Sequence, residues 1–86
     1  MTLQKIQDIA QSYVPLFRGF LAVQCPGHIR HTPNRGDYMG HGMWMCEQIM
    51  EMDDRDKAMR WLCFIQGILW CSGLRTIDEM RNDNRG

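Results

Sequence analysis

An eleven-residue apolar run, WLCFIQGILWC at residues 61–71, constrains the fold of this chain more than any other feature. Gln66 is its only strongly polar residue, so a helix formed by this run is apolar around nearly its whole circumference. Such a helix must be buried on nearly every side. Because the run is too short to span a bilayer, it predicts a helix that is covered by protein.

Two arrangements would cover this helix. In the first, the rest of the chain wraps around it, as around the central helix of a monomer. In the second, which we favour, another copy of the chain covers one side, because Gly67 permits two backbones to approach closely. The sequence therefore predicts a homo-oligomer whose interface contains Phe64, Gly67, Ile68 and Cys71.

The first half of the chain contains two further candidate helices. Apolar residues recur at helical spacing from Leu3 to Phe17, which predicts an amphipathic helix. We expect Pro15 to end or kink this helix near Val14. Asp37 is a candidate cap for a second helix. The predicted inward stripe of that helix is Tyr38, His41, Met45, Gln48, Ile49 and Met52.

The second half carries clear helix boundaries. Asp53 and Asp54 precede the apolar run and favour the start of a third helix, and Gly73 favours its end. Thr76 followed by Glu79 has the form of a capping box, which predicts a short last helix. No strand-like alternation occurs. We therefore expect one all-α domain over residues 1–86, a small bundle of three to four helices.

All three histidines lie in a stretch rich in glycine and proline, QCPGHIRHTPNRGDYMGHG at residues 24–42. Its arginines lead directly to a helix start, where free backbone N–H groups favour an anion. Arginine suits phosphate, and a nearby aromatic ring can stack on a base. The predicted ligand- or partner-binding residues are Arg30, His31, Asn34, Arg35, Tyr38 and Trp44. The same residues could also bind an acidic protein surface. A third interpretation is that the stretch is a solvated loop that binds no ligand.

Candidate residues are also present for a zinc site and for a catalytic cysteine, but their spacing in the sequence does not support either. The possible zinc ligands lack the two close pairs of known structural zinc sites. Cys25 and His28 have the residue types of a nucleophile and its base, but no carboxylate pair or glycine-rich phosphate loop accompanies them. We therefore predict no metal, no cofactor and no enzymatic activity. The zinc candidates are Cys25, His28, His31, His41 and Cys46.

The net charge and the N-terminal sequence limit which classes of partner and which cellular compartment we expect. The chain has 10 basic and 10 acidic residues and no formal net charge. This disfavours a nucleic-acid binder, because phosphate binding depends on an excess of Lys and Arg. The N-terminus lacks the long apolar core of a signal peptide. We expect a cytoplasmic protein with reduced cysteines and without membrane contact.

The segments GHGMWMCEQI, DKAMRWLCFIQGILW and TIDEMRNDN resemble small, largely uncharacterised accessory proteins encoded by tailed bacteriophages. The resemblance covers residues 40–84 and centres on a segment of the form R-W-L-G-F-I-Q-G, in which this chain has Cys63 in place of the first glycine. It implies a phage accessory protein made in the bacterial cytoplasm. The charged junction at residues 54–58 and the helix after it are more loosely similar to phage anti-defence proteins that sequester cyclic nucleotides.

Together, the residues and the resemblance predict a non-enzymatic phage protein that binds and neutralises a host component. The target is either a host defence protein or a nucleotide signal. The alternatives are a small nucleic-acid-binding regulator and a structural zinc mini-domain.

Overall fold

The computed structural model describes residues 1–24 and 38–85, and every regular element within these two ranges is an α-helix. The helices are α1 (Leu3–Gln24), α2 (Tyr38–Ile49), α3 (Arg55–Cys71) and α4 (Ile77–Asn84). Helices α1, α2 and α3 pack around one core. The predicted all-helical fold is thus confirmed for the described residues, whereas the predicted cap Asp37 lies outside them.

Helix α1 continues through Pro15, so the predicted break near Val14 is wrong. Proline removes one helical hydrogen bond, the one that would reach the carbonyl of Gln11. Both residues are exposed, so water can solvate that carbonyl. The buried side chains of Tyr13 and Phe17 on either side of the proline stabilise the helix through packing.

The contact between α1 and α2 depends on a close approach at Gly42. A Cβ atom added to Gly42 would lie 2.6 Å from Cε1 of the fully buried Phe17 ring. Gln7 of α1 reaches the other end of α2. Its Nε2 donates to three carbonyl groups between residues 49 and 52, at 3.0 to 3.3 Å. These bonds satisfy carbonyls that the end of a helix leaves free.

The buried face of α2 differs from the predicted stripe. Of the six predicted residues only Met45 and Ile49 are buried, Tyr38 is exposed, and the other three are half-buried. The close approach of Gly42 to α1 turns a different side of the helix inward. The residues of α2 that are buried in addition are Met39, Gly40, Gly42, Met43 and Cys46.

Helix α3 begins and ends where the sequence predicts. The Asp54 carboxylate accepts hydrogen bonds from the backbone N–H groups of Asp56 and Lys57, at 3.0 and 3.1 Å. Gly73, just after the helix, has a φ angle of +77°, which glycine adopts without a steric penalty. The inward face of α3 consists of Ala58, Leu62, Ile65, Gln66 and Leu69.

The capping box of α4 is also confirmed. The Thr76 hydroxyl accepts from the Glu79 backbone N–H at 3.1 Å, and the Glu79 carboxylate accepts from the Thr76 backbone N–H at 3.0 Å. Two backbone donors that a helix start leaves free are thereby satisfied. In the part of the chain that the structure describes, no helix combines the length and the apolar character needed to cross a membrane.

Gly42 and Gly19 are predicted to respond to alanine in opposite directions. Gly42→Ala should lower the free energy of unfolding by about 1–3 kcal/mol, because the methyl group overlaps the Phe17 ring. Gly19→Ala should raise it by about 0.5–1 kcal/mol, because nothing lies within 4 Å of the added Cβ and alanine favours the helix. Urea unfolding followed by circular dichroism measures both values. Equal effects of the two substitutions would contradict the packing described for Gly42.

Candidate functional site

Helix α3 is covered by the rest of the described chain on one side only. Phe64 and Trp70 are 57% and 56% exposed. Together with five neighbours they line a shallow groove of about 540 Å³. We call these residues the α3 surface, and none of them carries a charge. They are Tyr38, Cys63, Phe64, Gly67, Ile68, Trp70 and Cys71.

The four residues predicted for an oligomer interface lie together on the α3 surface. Phe64, Gly67 and Cys71 are exposed, and Ile68 is half-buried. The first arrangement considered for the apolar run, in which one copy of the chain covers the whole helix, is not found in the described residues. Coverage by another copy stays a prediction.

A second hollow, of about 450 Å³, lies between α2 and α3. We call it the aromatic cleft, and its volume falls within the range of small-molecule sites. Phe64 belongs both to the aromatic cleft and to the α3 surface. The cleft is lined by His41, Met45, Arg60, Trp61 and Phe64.

Two rings that line this cleft, His41 and Trp61, are connected through the ring of Trp44. The His41 ring stacks on Trp44 with 5.5 Å between the centroids, and Trp44 lies 5.9 Å from Trp61 at an angle of 39°. Nζ of Lys57 lies 5.4 Å from the centroid of the Trp61 ring, within the distance of a cation–π contact. Arg60 adds a second, exposed positive charge on α3. Aromatic walls beside two cations suit a planar ligand that carries negative charge.

His41 contributes a buried polar atom to the aromatic cleft. Its Nδ1 atom is buried and has no hydrogen-bond partner among the described residues. The ring is held instead by its stack on Trp44. Leaving a buried polar atom without a hydrogen bond costs about 1–3 kcal/mol. A group that forms a hydrogen bond with this Nδ1 atom therefore recovers that free energy.

The titratable groups with the clearest pKa shifts serve the fold. Asp83 accepts two hydrogen bonds from the Arg75 guanidinium, at 2.6 and 3.0 Å, and one from the Tyr13 hydroxyl at 2.6 Å. The bonds from Arg75 lower the pKa of Asp83, whereas burial raises the pKa of Tyr13 well above its usual value. Nε2 of Gln66 donates to the Tyr13 hydroxyl at 3.1 Å and to the side-chain carbonyl of Asn84 at 2.8 Å. These five residues form a polar hub that joins α1, α3 and α4.

The cysteine and histidine side chains that the structure describes do not form a metal site. Within residues 1–24 and 38–85 no three His, Cys, Asp or Glu side chains are grouped so that they could hold an ion. The candidate ligands Cys25, His28 and His31 lie outside these ranges. Cys46 is fully buried, and burial raises the pKa of its thiol to about 12. A thiol in that state is a poor nucleophile.

The predicted binding residues are divided by the structure. Tyr38 is 54% exposed on the α3 surface, and Trp44 lies half-buried in the ring stack. The four residues of the basic loop, which are Arg30, His31, Asn34 and Arg35, lie outside the described residues.

Sequence reasoning missed three exposed or half-exposed residues, Arg60, Trp61 and Trp70. Both tryptophans stand in the apolar run, where the spacing alone does not show which side of the helix is open. The side became clear only from the packing of α1 and α2.

The salt bridge of the polar hub predicts a pH dependence of stability. The folded-state pKa of Asp83 lies below its ordinary value of 3.8, so its contribution is complete above that value and is lost as the pH falls through the folded-state pKa. Asp83→Asn should cost about 2 kcal/mol at pH 7, since hydrogen bonds to charged groups contribute about 1.5–3 kcal/mol. The variant should also lose less stability than the parent between pH 5 and pH 2 in urea unfolding.

Asp53→Asn is the matched control for this measurement, because Asp53 is exposed before α3 and Asp54, not Asp53, caps that helix. It should leave both the stability at pH 7 and the pH profile close to those of the parent. The described role of Asp83 is wrong if the Asp83 and Asp53 variants give the same profile.

Comparisons with known proteins identify no relative: no family model, no curated protein and no solved structure matches the chain. The resemblance of residues 40–84 to phage accessory proteins therefore stays an expectation from sequence.

Proposed function

We propose that this chain is a non-enzymatic binding protein that captures a nucleotide in the aromatic cleft and acts as a homo-oligomer joined through the α3 surface. The observation that carries the proposal is one hollow lined by the rings of His41 and Trp61 and by Arg60. Lys57 adds a second positive charge against the Trp61 ring. Ring faces stack on a base, and a guanidinium binds phosphate through paired hydrogen bonds.

In this proposal the ligand is a signalling nucleotide of a bacterial host, and a phage accessory protein in the host cytoplasm neutralises it by sequestration. The setting comes from the resemblance of residues 40–84 alone. Arg30 and Arg35, which the sequence predicts as phosphate-binding residues, lie eight and three residues before the start of α2 in the sequence.

Binding rather than catalysis is supported by the use of the reactive groups. Tyr13, Asp83 and Arg75 hold one another in the polar hub. The Cys46 thiol has a raised pKa and no access to solvent. Sequestration needs only tight binding, which the hub supports by fixing α3 relative to α1.

A host defence protein is the second candidate target. It is favoured by the exposed, uncharged α3 surface, since contiguous apolar patches mark protein contacts. A nucleic-acid-binding regulator is the third, and the zero net charge of the chain argues against it. Affinity for DNA would fall steeply with added salt, whereas affinity for a nucleotide in an aromatic cleft would change less.

Nucleotide binding is predicted to depend on Arg60. Titration with ATP and with a cyclic dinucleotide should quench the fluorescence of the two neighbouring tryptophans, Trp44 and Trp61. Arg60→Glu should lower the affinity for the nucleotide at least about tenfold, because a charge-assisted hydrogen bond contributes about 1.5–3 kcal/mol. Arg18→Glu, at an exposed position of α1, should leave affinity unchanged. The ligand assignment fails if no nucleotide binds, or if both variants bind as the parent does.

Self-association is predicted to depend on Gly67. Nothing lies within 4 Å of a Cβ added at Gly67 or at Gly19, so Gly67→Glu and Gly19→Glu should both keep the helical fold. Only Gly67→Glu places a charge on the α3 surface, and only it should yield a monomer in sedimentation. Ile68→Glu should also disrupt assembly, at a larger cost to folding because Ile68 is half-buried. A parent protein that is monomeric at micromolar concentration would refute the self-association.

A further inference from the structure

We propose that the homo-oligomer is a two-fold dimer in which α3 of one copy runs antiparallel to α3 of a second copy, with Gly67 at the point of closest approach. This inference rests on the self-association in the proposed function and adds the orientation of the partner. It does not depend on which ligand the aromatic cleft binds.

The exposed side chains of α3 are arranged symmetrically about Gly67. Phe64 and Trp70 lie three residues before and after it, and Cys63 and Cys71 lie four residues before and after it. Residues three and four positions away share one face of a helix with the residue between them. All five are exposed. Read in either direction, this face presents a thiol, a ring, a glycine, a ring and a thiol.

A face with this symmetry fits a second copy of itself in the antiparallel orientation. At 1.5 Å per residue, two antiparallel helices that meet at Gly67 place Phe64 of one copy level with Trp70 of the second. Cys63 is then level with Cys71 of the second copy. The same Phe–Trp combination occurs at both ends of the contact, so the gap between the helices is even.

A parallel two-fold pair is less favourable for the same residues. It would set Phe64 against Phe64 at one end and Trp70 against Trp70 at the other, which needs a wider gap at the tryptophan end. Parallel helices also place like ends of their dipoles side by side, whereas antiparallel helices place opposite ends together.

The absence of charge on the α3 surface also favours a second copy as its occupant, and its area sets how strong the contact can be. The surface carries no charge, so an uncharged surface of equal size is its natural complement, and a second copy supplies one. Half-exposed Tyr38, Phe64 and Trp70 contribute roughly 300 Å² of apolar area, if each ring buries about 200 Å² in full. A standard interface buries about 800 Å² per partner. The rings therefore form the centre of a modest interface, and the dimer should dissociate on dilution below the micromolar range in which sedimentation tests it.

Position-specific cross-linking through the cysteines tests the orientation. The chain carrying Cys25→Ser keeps the exposed Cys63 and Cys71 and the buried Cys46. Oxidation with copper–phenanthroline should give a covalent dimer on a non-reducing gel, by a bond between Cys63 of one copy and Cys71 of the other. Cys63→Ser or Cys71→Ser in that background should each reduce the covalent dimer at least tenfold. Identical residues are about 12 Å apart along the paired axes, which is beyond the reach of a disulfide.

An equimolar mixture of the Cys63→Ser and Cys71→Ser variants should recover the covalent dimer, in the statistical share of mixed pairs. Single variants that cross-link as well as their parent would show neighbouring identical residues and overturn the antiparallel orientation. A non-covalent dimer that no combination cross-links would overturn the crossing at Gly67. A monomer in sedimentation would instead remove the self-association itself, and nucleotide titration reports separately on the ligand.

Discussion

The structure depends on one mismatch: α3 is apolar on two opposite sides, and the helices of residues 1–24 and 38–85 cover only one of them. Leu62, Ile65 and Leu69 complete a core with α1 and α2. The other side keeps Phe64 and Trp70 half in solvent. A chain of 86 residues has a small core. Burial of this exposed apolar area would therefore add stability that the folding of one copy does not provide.

Short-range signals in the sequence predicted both ends of α3 and the start of α4, and tertiary packing decided the rest. Asp54, Gly73 and the Thr76–Glu79 capping box act through bonds to their own backbone neighbours, and each is found as predicted. Pro15 was misjudged because the packing of α1 outweighs one missing hydrogen bond. The rotation of α2 follows from its contact with the Phe17 ring, which no local pattern encodes.

Of the two parts of the candidate site, the sequence predicts the one that lies within a single helix and not the one that two packed helices form. The residues of the α3 surface stand together in one apolar run, so the sequence identifies them as a group. The aromatic cleft joins two helices, and His41 and Trp61 come together only when α2 and α3 pack. Phe64 belongs to both surfaces, so in the proposed function a ligand that changes the position of its ring also changes the affinity between copies, and the reverse holds by linkage.

Gln66 gives the apolar helix its rotational setting. Burial of apolar side chains alone would accept several rotations of α3 about its axis, because most directions offer similar residues. The amide, in contrast, meets the Tyr13 hydroxyl and the Asn84 side chain in a single rotation. One side chain that faces inward therefore selects which aromatic rings the molecule displays outward, and a change at this buried position would alter a surface that it never touches.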